Sequence, residues 1–220
     1  MGTTHALSGA AAFLVAAPQV FPDAGPAEIA AGAAIAAGFA LLPDVDHPAA
    51  TITNRLPLGG LVARVVGAVS GGHRQGTHSL LAAGMLAALA FGLPAALPDD
   101  RAPYALAVLA YFGAVFGVGT LARAVGNRLR SVTTHGVALV VAAAVATEHL
   151  PATTVAVAAV GGYVMHLLGD ALTSGGVPFL WPSKRRFGLA LLTTGSATET
   201  VLRIGLVVGT AGFLWAVHLA

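Results

Sequence analysis

The sequence predicts an all-α protein, a polytopic bundle of transmembrane helices that forms a single domain over residues 1–220. Three observations carry this prediction: 56% of the 220 residues are hydrophobic, only 9% are charged, and the mean hydropathy is +0.82. A soluble globular domain carries about 25% charged residues. Eleven basic and nine acidic side chains cannot cover the surface of a soluble domain, so the chain is expected to lie in a lipid bilayer.

Composition also excludes several function classes. A net charge of only +2 gives no reason to expect nucleic acid as a partner. The chain has no cysteine, so any metal must be held by His, Asp or Glu. The sequence has neither a Gly-x-Ser-x-Gly nucleophile elbow nor a phosphate-binding P-loop, which argues against serine hydrolysis and nucleotide binding.

Apolar segments between polar or Pro-bearing stretches predict about seven membrane spans. They cover residues 6–20, 27–42, 79–98, 103–122, 132–147, 152–172 and 201–219. A span takes ~20 residues and rarely fewer than ~17, so the first, second and fifth segments are short. Their Gly and Ala content permits close helix contact inside a bundle. The stretch from Leu56 to Ser70 is half apolar but holds Arg64, which predicts an interfacial helix between spans two and three.

The basic residues predict the orientation of the chain. If all seven segments span, ten of the eleven Lys and Arg residues fall on one side and Arg101 falls alone on the other. The ten are Arg55, Arg64, Arg74, Arg123, Arg128, Arg130, Lys184, Arg185, Arg186 and Arg203. Basic residues accumulate on the cytoplasmic side of membrane proteins. The N-terminus is therefore expected in the cytoplasm and the C-terminus outside it.

The same topology gathers eight potential metal ligands at the cytoplasmic ends of helices. They are His5, Asp44, Asp46, His47, His73, His78, His166 and Asp170. Mixed imidazole and carboxylate ligands suit zinc, manganese or iron, and zinc is the first expectation. Eight candidates exceed what one ion takes, so one or two divalent ions are expected, a pair lying about 3.5–4 Å apart.

Local spacing supports a shared site. His166 and Asp170 are four residues apart, which places both on one face of a helix, about 5–6 Å apart. Pro43 and Pro48 interrupt any helix between them and confine the carboxylates and imidazole of the intervening residues near one point.

In the stretch from His73 to His78, neighbouring glycines predict a loop that turns freely. Thr77 is expected to cap the following helix, with His78 in its first turn.

Each of these features also has a structural alternative. His5 could form only a helix-to-helix hydrogen bond, and the pair His166 and Asp170 could form only a structural hydrogen bond. The Asp and His residues of the two loops could be solvated. His135, His149 and His218 are expected not to be ligands. Arg74 could bind an anionic substrate group or only set the topology, and the run from Lys184 to Arg186 is expected to touch lipid headgroups. Glu199 could begin the last helix or act as an active-site acid.

Four separated motifs resemble the LexA-regulated, inner-membrane metal-dependent hydrolase family. The motifs are Thr4-His5, Leu42 to Pro48, His73 to Ser79, and His166 to Thr173 followed by Gly175-Gly176-Val177 and Trp181-Pro182. The resemblance implies a multi-pass membrane protein with a metal-dependent hydrolase site, and its motif positions fall on the eight ligands named above. The His-x-x-x-Asp element is also similar to one in zinc-dependent phospholipase C and related nucleases.

The predicted function is hydrolysis of an ester or phosphoester by metal-activated water, with a membrane lipid or lipid-like molecule as substrate. Asp46 and Glu199 are the candidate proton acceptors, and Arg74 is the candidate anion-binding residue. The site is expected at the base of a cavity open to the cytoplasm or the inner leaflet. A metal or proton transporter and a non-catalytic scaffold with a structural metal remain as alternatives, although transporter sites usually lie near the bilayer midplane.

Overall fold

The structure is a computed structural model that describes residues 1–127 and 129–219, and this part of the chain is all-helical. Its α-helices are α1 Gly2–Val20, α2 Pro26–Phe39, α3 Gly59–Ser70, α4 Leu80–Ala96, α5 Ala102–Ala124, α6 Ser131–Ala146, α7 Ala152–Ala171 and α8 Ala197–Leu219. Within these ranges the β-structure is limited to isolated bridges, Thr173 with Leu192 and Val177 with Phe187. The predicted all-α fold is confirmed. Arg128, one of the ten basic residues on the predicted cytoplasmic side, lies outside the described residues.

Short 3₁₀ turns connect the helices at one end of the bundle. They cover Leu42–Asp46, Thr53–Arg55 and Gly76–His78. Pro43 stands at the start of the first turn, where its missing N–H costs no hydrogen bond. Glycines with positive φ follow α3, at Gly71 and Gly72, so the chain reverses there without a side-chain clash.

Four stretches are long and apolar enough to cross a membrane among the residues described. They are Pro26–Asp46, Ala102–Ala124, Ala152–Ala171 and Ala197–Val217. Each of the seven predicted segments contains a helix, but α4 and α6 have only 17 and 16 residues. Such lengths are at or below the usual minimum of ~17 residues for a span. The predicted count of seven spans is therefore not confirmed.

The predicted surface helix exists as α3, shorter than expected. It begins at Gly59 rather than Leu56, because Leu58 has a left-handed backbone with φ of 56°. One face buries Ala63, whereas Leu61, Val65 and Val69 are exposed beside Arg64. An apolar face that packs against little protein suits a helix lying in the headgroup region, and this location stays a prediction.

The centre of the bundle is α2, which packs against α1, α5 and α7. Small residues bring these helices into backbone contact. A Cβ atom added at Gly38 would lie 1.9 Å from the carbonyl oxygen of Gly113, and one at Gly117 would lie 1.9 Å from that of Ala34. At Gly162 the same atom would lie 2.1 Å from the carbonyl oxygen of Ala36. Close approach of this kind is the usual source of helix association in membranes, where van der Waals packing replaces the hydrophobic effect.

The last helix differs from α2 in its surroundings. In the apolar segment within Pro26–Asp46, the stretch that contains α2, 61% of the residues are buried. In the corresponding apolar segment of α8, no residue is buried. Its contacts in the bundle are with α1, and Val201, Ile204 and Val208 are exposed. An apolar helix with so little protein around it is suited to contact lipid on most sides.

We expect Gly162→Ala to destabilise the protein by about 1–3 kcal/mol, because the added methyl group overlaps the backbone of α2. Gly161→Ala is the matched control, since a Cβ atom there meets nothing within 4 Å. That change should be neutral or stabilise α7 by up to about 1 kcal/mol. Thermal unfolding in one detergent measures both variants, and equal melting temperatures would contradict the packing described.

Candidate metal centre

Five side chains from separate parts of the chain meet at one end of the bundle. The His/Asp cluster consists of His5 from α1, Asp44 from the turn after α2, His78 from the turn before α4, and His166 and Asp170 from α7. The side chains of His78, His166 and Asp170 are fully buried. Buried ionisable groups in a membrane protein are costly and usually functional.

Hydrogen bonds fix the orientation of the two central imidazoles. The Nδ1 atom of His166 lies 2.8 Å from the carbonyl oxygen of Ala40, so Nδ1 carries a proton, and in the neutral imidazole Nε2 keeps its lone pair. The Nδ1 atom of His78 lies 3.0 Å from the hydroxyl oxygen of Thr77. That hydroxyl donates to Asp46, 2.6 Å away, and therefore accepts from His78. Both Nε2 atoms are left as acceptors.

These two Nε2 atoms face each other at 3.2 Å. Two lone pairs this close repel unless a cation or a proton lies between them. A neutral imidazole held by a hydrogen bond at its other nitrogen is the form in which histidine binds metal. Burial lowers the pKa of the His78 imidazole, against the opposing effect of the nearby Asp44 carboxylate, and so favours this neutral form.

The carboxylate of Asp170 has one satisfied and one unsatisfied oxygen. Its Oδ1 atom accepts from Nη2 of Arg74 at 3.0 Å and lies 3.3 Å from Nε2 of His5. Its Oδ2 atom is buried and has no hydrogen-bond partner among the described residues. It lies 3.5 Å from Nε2 of His78 and 3.6 Å from Nε2 of His166. A buried carboxylate oxygen without a donor costs free energy unless a cation approaches it.

The spacing of these donor atoms fits a shared cation. Asp44 adds an Oδ1 atom 3.6 Å from Nε2 of His78 and 3.8 Å from Nε2 of His166. Adjacent ligands of tetrahedral zinc, each about 2.0–2.1 Å from the ion, lie about 3.3 Å apart. Separations from 3.2 to 3.8 Å therefore need only small movements to ligate one ion. The described residues contain two groups of three potential ligands, which are His5, His166 and Asp170, and Asp44, His78 and His166.

Asp46 lies beside the cluster and organises the loop that carries His78. One oxygen lies 2.8 Å from Nδ1 of His73, and the other accepts from the backbone N–H of Arg74 at 3.0 Å and from the Thr77 hydroxyl. Because both oxygens are engaged, these contacts favour a positioning role over that of proton acceptor. The expected cap at Thr77 is wrong: Ser79 caps α4 by accepting from the N–H of Ala82, and His78 lies in the preceding 3₁₀ turn.

Besides Asp46, two predicted ligands lie outside the groups of three, His73 and His47. The imidazole of His73 is 40% exposed and contacts Asp46. The Nδ1 atom of His47 accepts from the N–H of Ala49 at 3.2 Å, and its ring lies 4.5 Å from the ring of His73. Both groups of three share His166, so the described geometry supports one ion position more strongly than a separated pair.

Two arginines border the cluster. Arg74 contacts Asp170, and its guanidinium fits because Gly175 has no side chain: a Cβ atom there would lie 2.6 Å from Nη1. Arg186 donates to the carbonyl oxygen of Arg74 at 3.2 Å and to that of Gly175 at 3.1 Å. Arg74 therefore contacts the cluster directly, and Arg186 contacts only the backbone beside it.

Glu199 lies elsewhere, at the junction of α1 and α8. Its carboxylate accepts from the hydroxyl of Thr4 and from the N–H of Gly195, the latter at 2.7 Å, and lies 3.4 Å from the amino group of Met1. These contacts account for its burial without a catalytic role.

The cluster reaches the surface at Asp44, whose side chain is 20% exposed. The side chain of Arg74, which borders the cluster, is 22% exposed. The larger described cavity, of about 630 Å³, lies away from the cluster and is lined by residues of α5, α6 and the turn at Arg55. The predicted open cavity at the cluster stays a prediction. Sequence reasoning also missed the Ala40 carbonyl, for which a sequence has no signal. The hydrogen bond between Thr77 and the imidazole of His78 has a sequence signal, because the two residues are adjacent.

Helices long enough to cross a bilayer, with ionisable residues collected at one end, define a multi-pass membrane protein. The family model described as YdjM inner membrane protein matches residues 1–220, so the chain belongs to this family and is an inner-membrane protein. This is the LexA-regulated inner-membrane family that the four motifs resemble. No curated protein and no solved structure matches the chain.

We expect Glu199→Ala to lower the free energy of unfolding by about 1–3 kcal/mol, because the buried Thr4 hydroxyl and the Gly195 amide lose their acceptor. Asp100→Ala, which removes an exposed carboxylate, is the control and should change little. Melting temperatures in detergent measure both. An unchanged melting temperature for Glu199→Ala would return Glu199 to the candidate catalytic residues.

Proposed function

We propose that this protein is a membrane-embedded metal-dependent hydrolase that cleaves an ester or phosphoester of a lipid or lipid-like substrate. The observation that carries the proposal is the unpartnered Oδ2 atom of Asp170, aimed at two imidazole Nε2 atoms that face each other at 3.2 Å. The cluster combines four buried side chains with Asp44, which is partly exposed. Catalytic zinc sites keep an open position for water, whereas structural sites are closed by four protein ligands.

In this proposal His78, His166 and Asp170 hold one divalent cation, zinc first, with manganese or iron as alternatives. Such a cation, when bound, supplies Lewis acidity that lowers the pKa of water and polarises the substrate oxygen. Asp44 lies at the open side, 20% exposed, and accepts the proton of the attacking water. Asp46 and Thr77 act through His78 and are positioning residues.

Arg74 supplies the fixed positive charge beside the reaction centre. Its Nη2 atom holds Oδ1 of Asp170, and its remaining N–H groups can donate to an anionic oxygen of the substrate. A substrate with a negatively charged headgroup is therefore favoured over a neutral ester. Arg186, which contacts the backbone of Arg74, keeps that loop in place.

The placement of the ligands argues against the transporter alternative. His5 is near the start of α1, Asp170 is near the end of α7, and Asp44 and His78 are in turns. Transport sites usually lie near the bilayer midplane on broken helices, whereas these residues share one end of the bundle. Lipid headgroups contact a membrane protein at the ends of its helices. The excess of Lys and Arg on one predicted side of the membrane favours the cytoplasmic leaflet.

The decisive experiment compares metal content and hydrolysis in two variants. Purified protein should carry about one zinc per chain and hydrolyse members of a panel of phospholipids and phosphoesters. His166→Ala should lose both metal and activity, because it removes a buried ligand. Asp44→Asn should keep most of the metal yet lose activity by roughly 10²-fold or more, as expected for loss of a general base.

His149→Ala is the control, since His149 is exposed and its hydrogen bonds within the described residues are to Thr147. Full metal content in His166→Ala would reject the metal site. Stoichiometric zinc without hydrolysis of any substrate in the panel would replace the hydrolase proposal with a structural metal.

The orientation is tested separately by reporter fusions. A reporter after Ala220 should lie outside the cytoplasm, and reporters near Pro57 and Lys184 should lie inside it, because the basic connections stay on the cytoplasmic side. A cytoplasmic C-terminus would require an even number of spans and would contradict the proposed topology.

A further inference from the structure

The cavity of about 630 Å³ lies between α5 and α6 beside the 3₁₀ turn Thr53–Arg55. It shares no residue with the His/Asp cluster. Phe112, Phe116, Gly119 and Arg123 form one of its walls. They recur at intervals of three or four residues and therefore lie on one face of α5. Its volume is within the range of about 300–1,000 Å³ that is usual for small-molecule sites.

One end of this cavity is strongly basic. Both Arg55 and Arg123 line it, and neither forms an ion pair within the described residues. No Asp or Glu is among its described lining residues. Burial, together with the charge of Arg123, lowers the pKa of the Arg55 guanidinium to about 10, so Arg55 still carries its charge at pH 7. Two neighbouring cations without a counter-charge favour an anion between them.

Gly119 holds the basic end open. A Cβ atom there would lie 2.9 Å from Nη1 and 3.0 Å from Nη2 of Arg55. Without it, the guanidinium lies flat against α5 and donates from Nη1 to the carbonyl oxygen of Phe116 at 3.1 Å. One anchored edge leaves the other N–H groups of Arg55 available to a ligand.

The other end of the cavity is apolar and aromatic. Phe112, Val115 and Phe116 line it, and the Tyr111 hydroxyl lies 2.6 Å from Nδ1 of His135, which joins its two walls. The rise along α5 from Phe112 to Arg123 is about 16 Å. The cavity therefore has a charged end at the terminus of a membrane-crossing helix and an apolar end deeper in that helix.

We propose that this cavity binds an anionic phospholipid, with its phosphate group on Arg55 and Arg123 and an acyl chain along Phe112 and Phe116. Basic pockets between membrane helices are suited to acidic lipid headgroups. The apolar wall favours a lipid over a free anion, which would leave the aromatic side chains without a partner. This inference requires only that the protein lies in the membrane, so it stands independently of the proposed hydrolase.

The test measures the binding of phosphatidylglycerol to delipidated full-length protein in a neutral detergent, by native mass spectrometry and by the rise in melting temperature. Arg55→Gln and Arg123→Gln should each weaken binding about tenfold, as expected for loss of a hydrogen bond to a charged group. Arg64→Gln removes an exposed arginine of α3 from the same basic side and should bind like wild type.

A second pair of variants tests the geometry without removing charge. Gly119→Ala should weaken phosphatidylglycerol binding while the protein stays folded, because the three atoms nearest to the added methyl group all belong to the movable end of Arg55. Gly136→Ala on α6, where a Cβ atom meets nothing within 4 Å, should have no effect.

A comparison of three ligands identifies the source of the anion. Phosphatidylglycerol should bind and stabilise more than phosphatidylcholine, and inorganic phosphate at the same concentration should do neither. Equal stabilisation by inorganic phosphate would overturn the lipid assignment. Binding that is the same in Arg64→Gln, Arg55→Gln and Arg123→Gln would overturn the site.

Discussion

The burial of the Asp170 carboxylate is the constraint around which this end of the bundle is arranged. Removing an ionised carboxylate from water costs several kcal/mol, which must be offset by cations and hydrogen-bond donors. Arg74 and His5 supply them at Oδ1, whereas Oδ2 faces the Nε2 atoms of His78 and His166. Three distant parts of the chain, α1, the loop before α4 and α7, must therefore meet for Asp170 to be tolerated.

That meeting depends on the close packing of α2. Glycines at its contacts with α5 and α7 let backbones touch, so the C-terminal end of α2 reaches the ligand-bearing turn of α7. There the carbonyl oxygen of Ala40 accepts from His166 and sets which nitrogen faces the cluster. A backbone atom at a helix end thus decides the chemistry of an imidazole 126 residues away. Small residues in this bundle act on the site through geometry rather than through any functional group.

Two sites of opposite charge are built from different elements of the bundle. The His/Asp cluster is rich in carboxylates and calls for a cation, whereas the cavity between α5 and α6 is lined by arginines and calls for an anion. Arg74 neutralises Asp170 at the border of the cluster and does not line the cavity.

The sequence by itself determined the class of protein and much of the site. So few charged residues cannot form a soluble surface, and the four-residue spacing of His166 and Asp170 puts both on one helical face, as the 3.6 Å separation confirms. Only the tertiary structure decided which carboxylates face the imidazoles. Asp44 and Asp46 are two residues apart and look equivalent in sequence, yet one points at His78 and His166 and the other is engaged by the following loop.

Tertiary structure likewise placed Glu199 at the α1–α8 junction and assembled the arginine-lined cavity from three segments. Local spacing fixes which residues share a helical face, because helix geometry is the same everywhere. It carries no information on which donor each carboxylate will find, because those partners come from distant elements whose approach is set by packing. Local sequence also does not determine the number of spans. A helix of 16 residues can be buried in a bundle or cross a membrane, and the helices packed around it decide which of the two occurs.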